Sequence, residues 1–344
     1  MAFIKLRALA TFILASSHLS IAAAEPVSDF YAGRTVTITV GTTAAGTYNL
    51  YARTIARYLG KYIPGAPRVV VANMPGASSY IAARHVLRIA PQDGAMIGAL
   101  MAAAPFQPLI DPDAPKFDVE GINWLASPSP FHALMVVRAD GPIQSADDLR
   151  KFKITMATIA PGQLASLLVM ATNESLGARI QAINGHSTMN EAIMALERGE
   201  IDGYPAVPLD ALKSLFADLV SAKKLRVILQ FGRRPSPEYP DAPYALDLAT
   251  TSSSKALLDL AQAPTKGGYI YMMGPDVPKE RLDAIRSAFL ATYRDPEFLA
   301  EAARQFLNID PVSSNAMAEL VTQAYGAPAE VVDRVRALYR KILN

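Results

Sequence analysis

The tightest constraint on this chain is a repeated order: a strand-like run, a loop of small residues, then a helix. Thr35–Val40 alternates threonine with valine or isoleucine, the period of a half-buried strand. Gly41–Thr47 is a loop of small residues, and from Tyr48 the apolar positions fall at helical spacing through Ala52, Ile55 and Leu59. Arg68–Ala72 is strand-like again, Met74–Ser79 breaks it, Tyr80–Ile89 resumes as helix, and Met96–Met101 is a third strand. Such alternation is the pattern of an α/β sheet, whose ligands bind beyond the carboxyl ends of the strands.

The pattern restarts downstream. Strands are expected at Ala133–Val137, Ile154–Ala157, Ile180–Ile183, Ile201–Tyr204 and Leu225–Phe231. Helices are expected at Gln163–Leu176, closed by Gly177, at Met189–Arg198, closed by Gly199, and at Leu209–Ala222. Ser145 to Asp148 resembles a capping box and opens a short helix. Four prolines between Arg233 and Pro243 demand extended or turning chain. After a strand at Tyr269–Met273, helices follow at about 279–293, 296–306, 314–325 and 328–343, with Pro278, Pro296 and Pro328 near their starts. Two similar α/β units with a helical tail are the expected architecture.

Composition narrows the function classes. The chain has 344 residues, 51% of them hydrophobic, enough for a buried core in about two domains. Its 33 Lys+Arg against 31 Asp+Glu leave no basic surplus for nucleic acid. The absence of cysteine removes thiol catalysis, disulfides and thiolate metal sites. At the N-terminus, Lys5 and Arg7 precede an apolar, alanine-rich run and Ala22-Ala23-Ala24, the layout of a secretory signal peptide over residues 1–24. Ser16, Ser17, His18 and Ser20 interrupt that run, which argues against a membrane span.

Catalytic motifs are missing. There is no GxSxG, no Walker A loop, no GxGxxG after a strand and no aspartate-rich calcium loop. Ser221 to Lys224 spells SxxK among surface lysines, which chance explains. His85, His132 and His186 do not share metal-ligand spacing; His132 and His186 fall near loop mouths, where either could touch a ligand. The positive signal is instead Gly41–Thr47 and Met74–Ser79, each leading into a helix. Small residues let backbone N–H groups approach a ligand, and the first helical turn adds unpaired donors, a combination that suits an anion. Plain tight turns would look the same.

Several segments resemble, in order, the solute-binding proteins of tripartite tricarboxylate transporters, the Bug or TctC-like family. They are Val40-Gly41 through Gly46-Thr47-Tyr48-Asn49, Val69 through Ala77, Ala90-Pro91-Gln92-Asp93-Gly94, Leu196 through Gly203, Pro240-Asp241-Ala242-Pro243, Gly274 through Pro278, and Asp295 through Phe298. The resemblance implies an α/β, two-lobed periplasmic binding protein of type II-like form. Each lobe would be a mixed sheet flanked by helices, with a helical C-terminal tail. Lobe I would comprise 29–130 and 235–344, and lobe II 131–234. It also implies an exported, monomeric receptor in the periplasm that closes on a small organic acid and hands it to a permease of the tripartite tricarboxylate type. No cofactor, metal, nucleic acid or enzymatic step is implied. A sensing receptor in place of a transport one, an enzyme on the same scaffold, and a structural or chaperone-like protein are the alternatives.

Carried over from the family, the ligand contacts would be Thr43, Ala44, Ala45, Gly46, Thr47 and Tyr48 in the first loop and Ala77, Ser78 and Ser79 in the second. Thr158, Ala160, Pro161, Gly162, Gln163, Gly185 and Tyr204 would face them from lobe II. The chain departs from the family at Asn49, where aspartate is common, and at Ser78, Ser79 and Ala160, where glycine is frequent. Tyr48, Tyr80, Phe131 and Tyr204 could stack on an aromatic acid or pack the lobes, and Arg53 is expected in an ion pair within its lobe.

Overall fold

The computed structural model describes residues 25–111, 113–114, 119 and 121–343; the signal segment expected at 1–24 lies outside the described residues. Among the described residues ten strands form two five-stranded sheets. They are β1 (Thr35–Val40), β2 (Arg68–Asn73), β3 (Met96–Leu100), β4 (Asn123–Trp124), β5 (Ala133–Arg138), β6 (Ile154–Ala157), β7 (Ile180–Ile183), β8 (Gly203–Pro208), β9 (Leu225–Phe231) and β10 (Ile270–Met273). The first sheet runs β2-β1-β3-β10-β4 and the second β7-β6-β8-β5-β9. In each, three parallel strands are followed by one running antiparallel, β10 beside β3 and β5 beside β8. The two units share one plan, as the repeated pattern in the sequence implies.

Local chemistry explains the elements. The alternation in β1 buries Val36, Ile38 and Val40 completely. The helix Thr47–Leu59 turns Tyr51, Ala52, Ile55 and Leu59 into the same core, at helical spacing. Helices Lys279–Thr292 and Pro296–Arg304 cover that first sheet. Asp295 caps the second of them, accepting from the N–H groups of Glu297 and Phe298. It also accepts from the Tyr62 hydroxyl and the Lys61 ammonium, and these bonds hold its carboxyl down at about 2.

Three departures from the expected elements have physical causes. The helix expected at 209–222 is split into Leu209–Ser214 and Ala217–Ser221. The strand expected at Ile201–Tyr204 runs from Gly203 to Pro208, because its partner is the β5 backbone and not its own alternation. The third departure is the helix Ser252–Gly267, which no pattern announced; Pro264 inside it and the serines at its start hide the periodicity. That helix lies along Leu164–Leu176 of the second unit. Its last turn grips both chain crossings: Phe131 N–H donates to the Thr265 carbonyl at 2.7 Å and Gly232 N–H to Gln262 Oε1 at 3.2 Å. No helix among the described residues is long and apolar enough to cross a membrane.

Candidate functional site

Between the two sheets lies a cavity of about 430 Å³. One wall comes from the loops after β1 and β2, the floor from Phe131, Tyr269 and the β8 residues Tyr204, Ala206 and Pro208, and the other wall from the loops after β6 and β7.

The first wall is made of backbone. Gly46 has φ 93° and ψ 174°, a region open essentially to glycine alone, and it precedes the helix Thr47–Leu59 with no side-chain cap. The loop carbonyls are turned back into the protein. Asn49 Nδ2 donates to the Ala44 carbonyl at 2.7 Å, Asn73 Nδ2 to the Thr42 carbonyl at 2.9 Å, and Ser79 Oγ to the Gly41 carbonyl at 3.0 Å. A trans peptide whose C=O points inward presents its N–H the other way. Gly41 is needed for the approach of the two loops, since a Cβ on it would come within 2.4 Å of the Ser79 side chain.

The second loop is strained. Ala77, Ser78 and Ser79 have φ of 43°, 51° and 75°, three successive non-glycine residues in the left-handed region. Such conformations cost about 1 kcal/mol or more each and persist where surroundings hold them. Ser79 is the restraint: wholly buried, its Oγ donates to Gly41 and accepts from Met101 N–H at 3.1 Å. Ser78 Oγ accepts from Gln163 Nε2 across the cavity at 3.3 Å, a bond between the two units.

The other wall mixes apolar and uncharged polar residues; the apolar ones are Ile159, Leu164, Ala165 and Met189. Its polar groups, beyond Gln163, are Ser187, Thr188 and Asn190 at the start of the helix Met189–Glu197. That helix is capped from within. Thr188 Oγ1 accepts from Glu191 N–H at 3.2 Å, and Glu191 Oε2 accepts from Ser187 N–H at 2.7 Å. None of the lining residues is Asp, Glu, Lys, Arg or His. The phenols of Tyr48, Tyr204 and Tyr269 are pushed well above the usual range by burial and stay protonated.

Behind the floor, Tyr51 Oη donates to Asp210 Oδ2 at 2.6 Å, linking the two units. Burial lifts the Asp210 carboxyl to about 6, partly offset by that hydrogen bond. The Tyr51 ring lies 3.9 Å from that of Tyr269. Among the described residues no cluster of His, Asp and Glu is arranged to hold a metal ion.

The structure brings Thr43, Ala45, Gly46, Thr47, Tyr48, Ala77, Ser78, Ser79, Gln163 and Tyr204 to the cavity lining. It leaves six expected residues out of the lining. Ala44 lines a shallow groove on the far side of the loop, with Asn49 and Arg53, because its carbonyl is drawn back by Asn49. Thr158 is wholly buried and its hydroxyl is spent on Asn184 Oδ1 at 2.6 Å. The turn Ala160-Pro161-Gly162 meets the other unit: Gln107 donates to the Gly162 carbonyl, and a Cβ on Gly162 would lie 3.2 Å from the Tyr339 ring. Gly185 has open space around it. His132 is half-buried, burial lowering its pKa, and like His186 it is not in the lining. Arg53 is exposed and makes no ion pair among the described residues, against expectation.

Sequence reasoning missed Met101, Leu164, Ala165, Met189, Asn190, Pro208 and Tyr269. A signal for the Met189 region was present in the capping box Thr188-x-x-Glu191. Nothing marked Tyr269, because the helix before it was itself hidden.

Comparison with known proteins supplies independent findings. The family model described as ABC transporter, phosphonate, periplasmic substrate-binding protein matches residues 103–315. Comparison with curated protein sequences finds no match. Among solved structures, the periplasmic binding protein BugD has a TM-score of 0.69 at 18% identity, over 90% of this chain and 98% of its own. The Rhodopseudomonas palustris protein Rpa4515, solved with adipate, gives 0.68 at 17% identity, over 88% and 97%. MatC from Rhodopseudomonas palustris, solved with bound malate, gives 0.66 at 16% identity, over 89% and 99%. At these identities the likeness shows a shared fold, that of the TctC and Bug solute-binding proteins.

Proposed function

We infer, since the chain belongs to the family of phosphonate-type periplasmic substrate-binding proteins of ABC transporters, that it is an exported receptor for a small organic carboxylate. It closes its two lobes on that ligand and delivers it to a membrane permease of the tripartite tricarboxylate kind. The single observation that carries this reading is the cavity between the sheets, walled on one side by small-residue loops and an uncapped helix start and lined by no Asp, Glu, Lys, Arg or His. An acid or base catalyst needs a titratable side chain within reach of the substrate; a binder of a carboxylate needs donors and a dry enclosure. In this reading lobe I is 29–130 with 235–344, lobe II is 131–234, and residues 1–24 are the export signal. The helix Ser252–Gly267 braces both crossings.

Ligand contacts are assigned to the first loop, Thr43 to Tyr48 without Ala44, to Ala77–Ser79, and to Gln163 and Tyr204. Closure follows from population shift: a ligand that touches both lobes only when they are closed favours the closed form. The protein acts as a monomer. The matched family name favours a second ligand, a phosphonate. A phosphonate dianion normally recruits arginine or lysine, and the lining has neither.

The test is thermal unfolding of the purified protein, first unfolded and refolded to strip captured ligand, against carboxylates and alkylphosphonates. At 100-fold excess over Kd a true ligand adds ~2.7 kcal/mol of stability. Stabilisation by carboxylates supports the reading; stabilisation by phosphonates alone replaces it. No response to either class removes the anion-receptor reading.

A further inference from the structure

The chemistry of the far wall says which carboxylate the cavity takes. The inference rests on the carboxylate-receptor reading above. A dicarboxylate bound between two lobes needs a receptacle for an anion on each. On lobe I the helix Thr47–Leu59 begins with no side-chain cap, and the loop before it turns its carbonyls away from the cavity. On lobe II the comparable place, the start of the helix Met189–Glu197, is already partly taken by the chain's own side chains. Glu191 places its own carboxylate on the Ser187 N–H, and Thr188 caps the Glu191 N–H. A second carboxylate there meets a negative charge and a donor already in use.

The rest of that wall offers no cation, only uncharged groups such as the Gln163 and Asn190 amides. Thr158 and Asn184 are bonded to each other, and Ser166 Oγ donates to the Ala160 carbonyl at 2.8 Å. What faces the cavity on that side is Ile159, Leu164, Ala165 and Met189 beside the uncharged Gln163, Ser187, Thr188 and Asn190, with Tyr204 at the floor. Burying a second carboxylate there, with no cation in the lining, carries a desolvation penalty that uncharged amides and hydroxyls offset only in part. An apolar ligand body carries no such penalty and gains by leaving water. The cavity is within the usual range for small-molecule sites of about 300–1,000 Å³ and leaves space beyond a carboxylate for a ring or a chain of several carbons.

We propose that the cavity selects monocarboxylates with an apolar aromatic or aliphatic body, the charged end on the loops of lobe I and the apolar end against Leu164 and Met189 of lobe II. Malate and adipate, the acids found in two structures of the same fold, carry a second charge at the end this chain leaves apolar.

The experiment compares acids that differ only in the second carboxylate, by titration calorimetry on the refolded, ligand-free protein: hexanoate against adipate, and benzoate against terephthalate. In at least one pair the monoacid binds at least 10-fold tighter. In a second arm, Met189→Lys sets a cation at the half-exposed start of the lobe II helix, and the preference shifts toward the diacid by at least 5-fold. Diacids that bind as tightly as their monoacids, or more tightly, overturn the proposal and leave the carboxylate-receptor reading standing. A preference unmoved in a folded Met189→Lys variant overturns the assignment of the apolar end to that wall. If no acid of either kind binds, the receptor reading fails, and this inference with it. The wild-type pairs decide the charge question even if the variant does not fold.

Discussion

Two helices begin at the cavity, one on each lobe, and they are finished in opposite ways. Thr47–Leu59 starts after a glycine with no side-chain cap. Met189–Glu197 starts with side-chain caps, Thr188 Oγ1 accepting from the Glu191 N–H and Glu191 Oε2 from the Ser187 N–H. An open helix start is a cost to stability unless something else meets its donors. The contrast teaches that two lobes with one strand plan can finish their helix starts differently, and on the proposed reading the uncapped one receives the anion. The second loop sharpens the contrast, because lobe I also tolerates three strained residues at Ala77–Ser79, whereas the lobe II turn at Ala160–Gly162 serves contact between lobes.

The hardest blow to this contrast is Gly46→Val. A side chain at φ 93° forces the open helix start out of shape. Affinity for the best carboxylate in calorimetry should fall by 30-fold or more, with the unfolding transition still cooperative. Unchanged affinity would move the anion site off this helix.

Asn49→Asp comes next. The Asn49 amide holds the Ala44 carbonyl and accepts from Asn73. A carboxylate there cannot donate to Ala44, and it sets a negative charge behind the loop. Ligand affinity should drop about 10-fold, and stability in urea by about 1–3 kcal/mol, the usual cost of an unmet buried polar group. A variant that binds normally would show that the loop holds its shape without this bond.

The link between the two units behind the floor can be probed by pH. The Asp210 carboxyl stands at about 6 in the folded protein against 3.8 as its ordinary value. Between those values the folded state holds the proton that the unfolded chain has lost, so stability falls as pH rises from about 4 to about 6 and is level above. The drop is roughly 2–3 kcal/mol for one such group. Asp210→Asn removes that slope and keeps an acceptor for Tyr51. Urea unfolding of both proteins at pH 4 and pH 7 measures it; equal pH slopes would show that Asp210 does not titrate in this range.

The mildest change is Glu191→Gln. It keeps a capping group but removes the charge, so the helix should lose about 0.3–1 kcal/mol. Adipate binding should improve relative to hexanoate by 2- to 3-fold. A fall in adipate binding would mean that Glu191 does not guard the far wall.

Much of this was legible in the sequence, for reasons of local physics. The alternation of Thr35–Val40, the glycine stops at Gly177 and Gly199 and the prolines opening the last helices are signals carried within a few residues, and the elements fall where they point. The first-loop residues were readable as cavity residues because small side chains before a helix leave a mark. Leu164, Met189 and Tyr269 were not, since an apolar residue facing a cavity looks the same as one facing a core. The helix Ser252–Gly267 was hidden by Pro264, whose cost is absorbed by packing on Leu164–Leu176 and by the bonds that Thr265 and Gln262 make to the crossings.

The sequence by itself determined the strand-loop-helix order, the doubled plan and the uncapped glycine loop, because each is set by backbone preference and periodicity over short distances. Only the tertiary structure decided which wall is polar. The direction of the Gly41, Thr42 and Ala44 carbonyls depends on Ser79, Asn73 and Asn49. The withdrawal of Thr158 from the cavity depends on Asn184, twenty-six residues away. Those choices are made by hydrogen-bond partners brought in from elsewhere in the chain, and no local pattern records them.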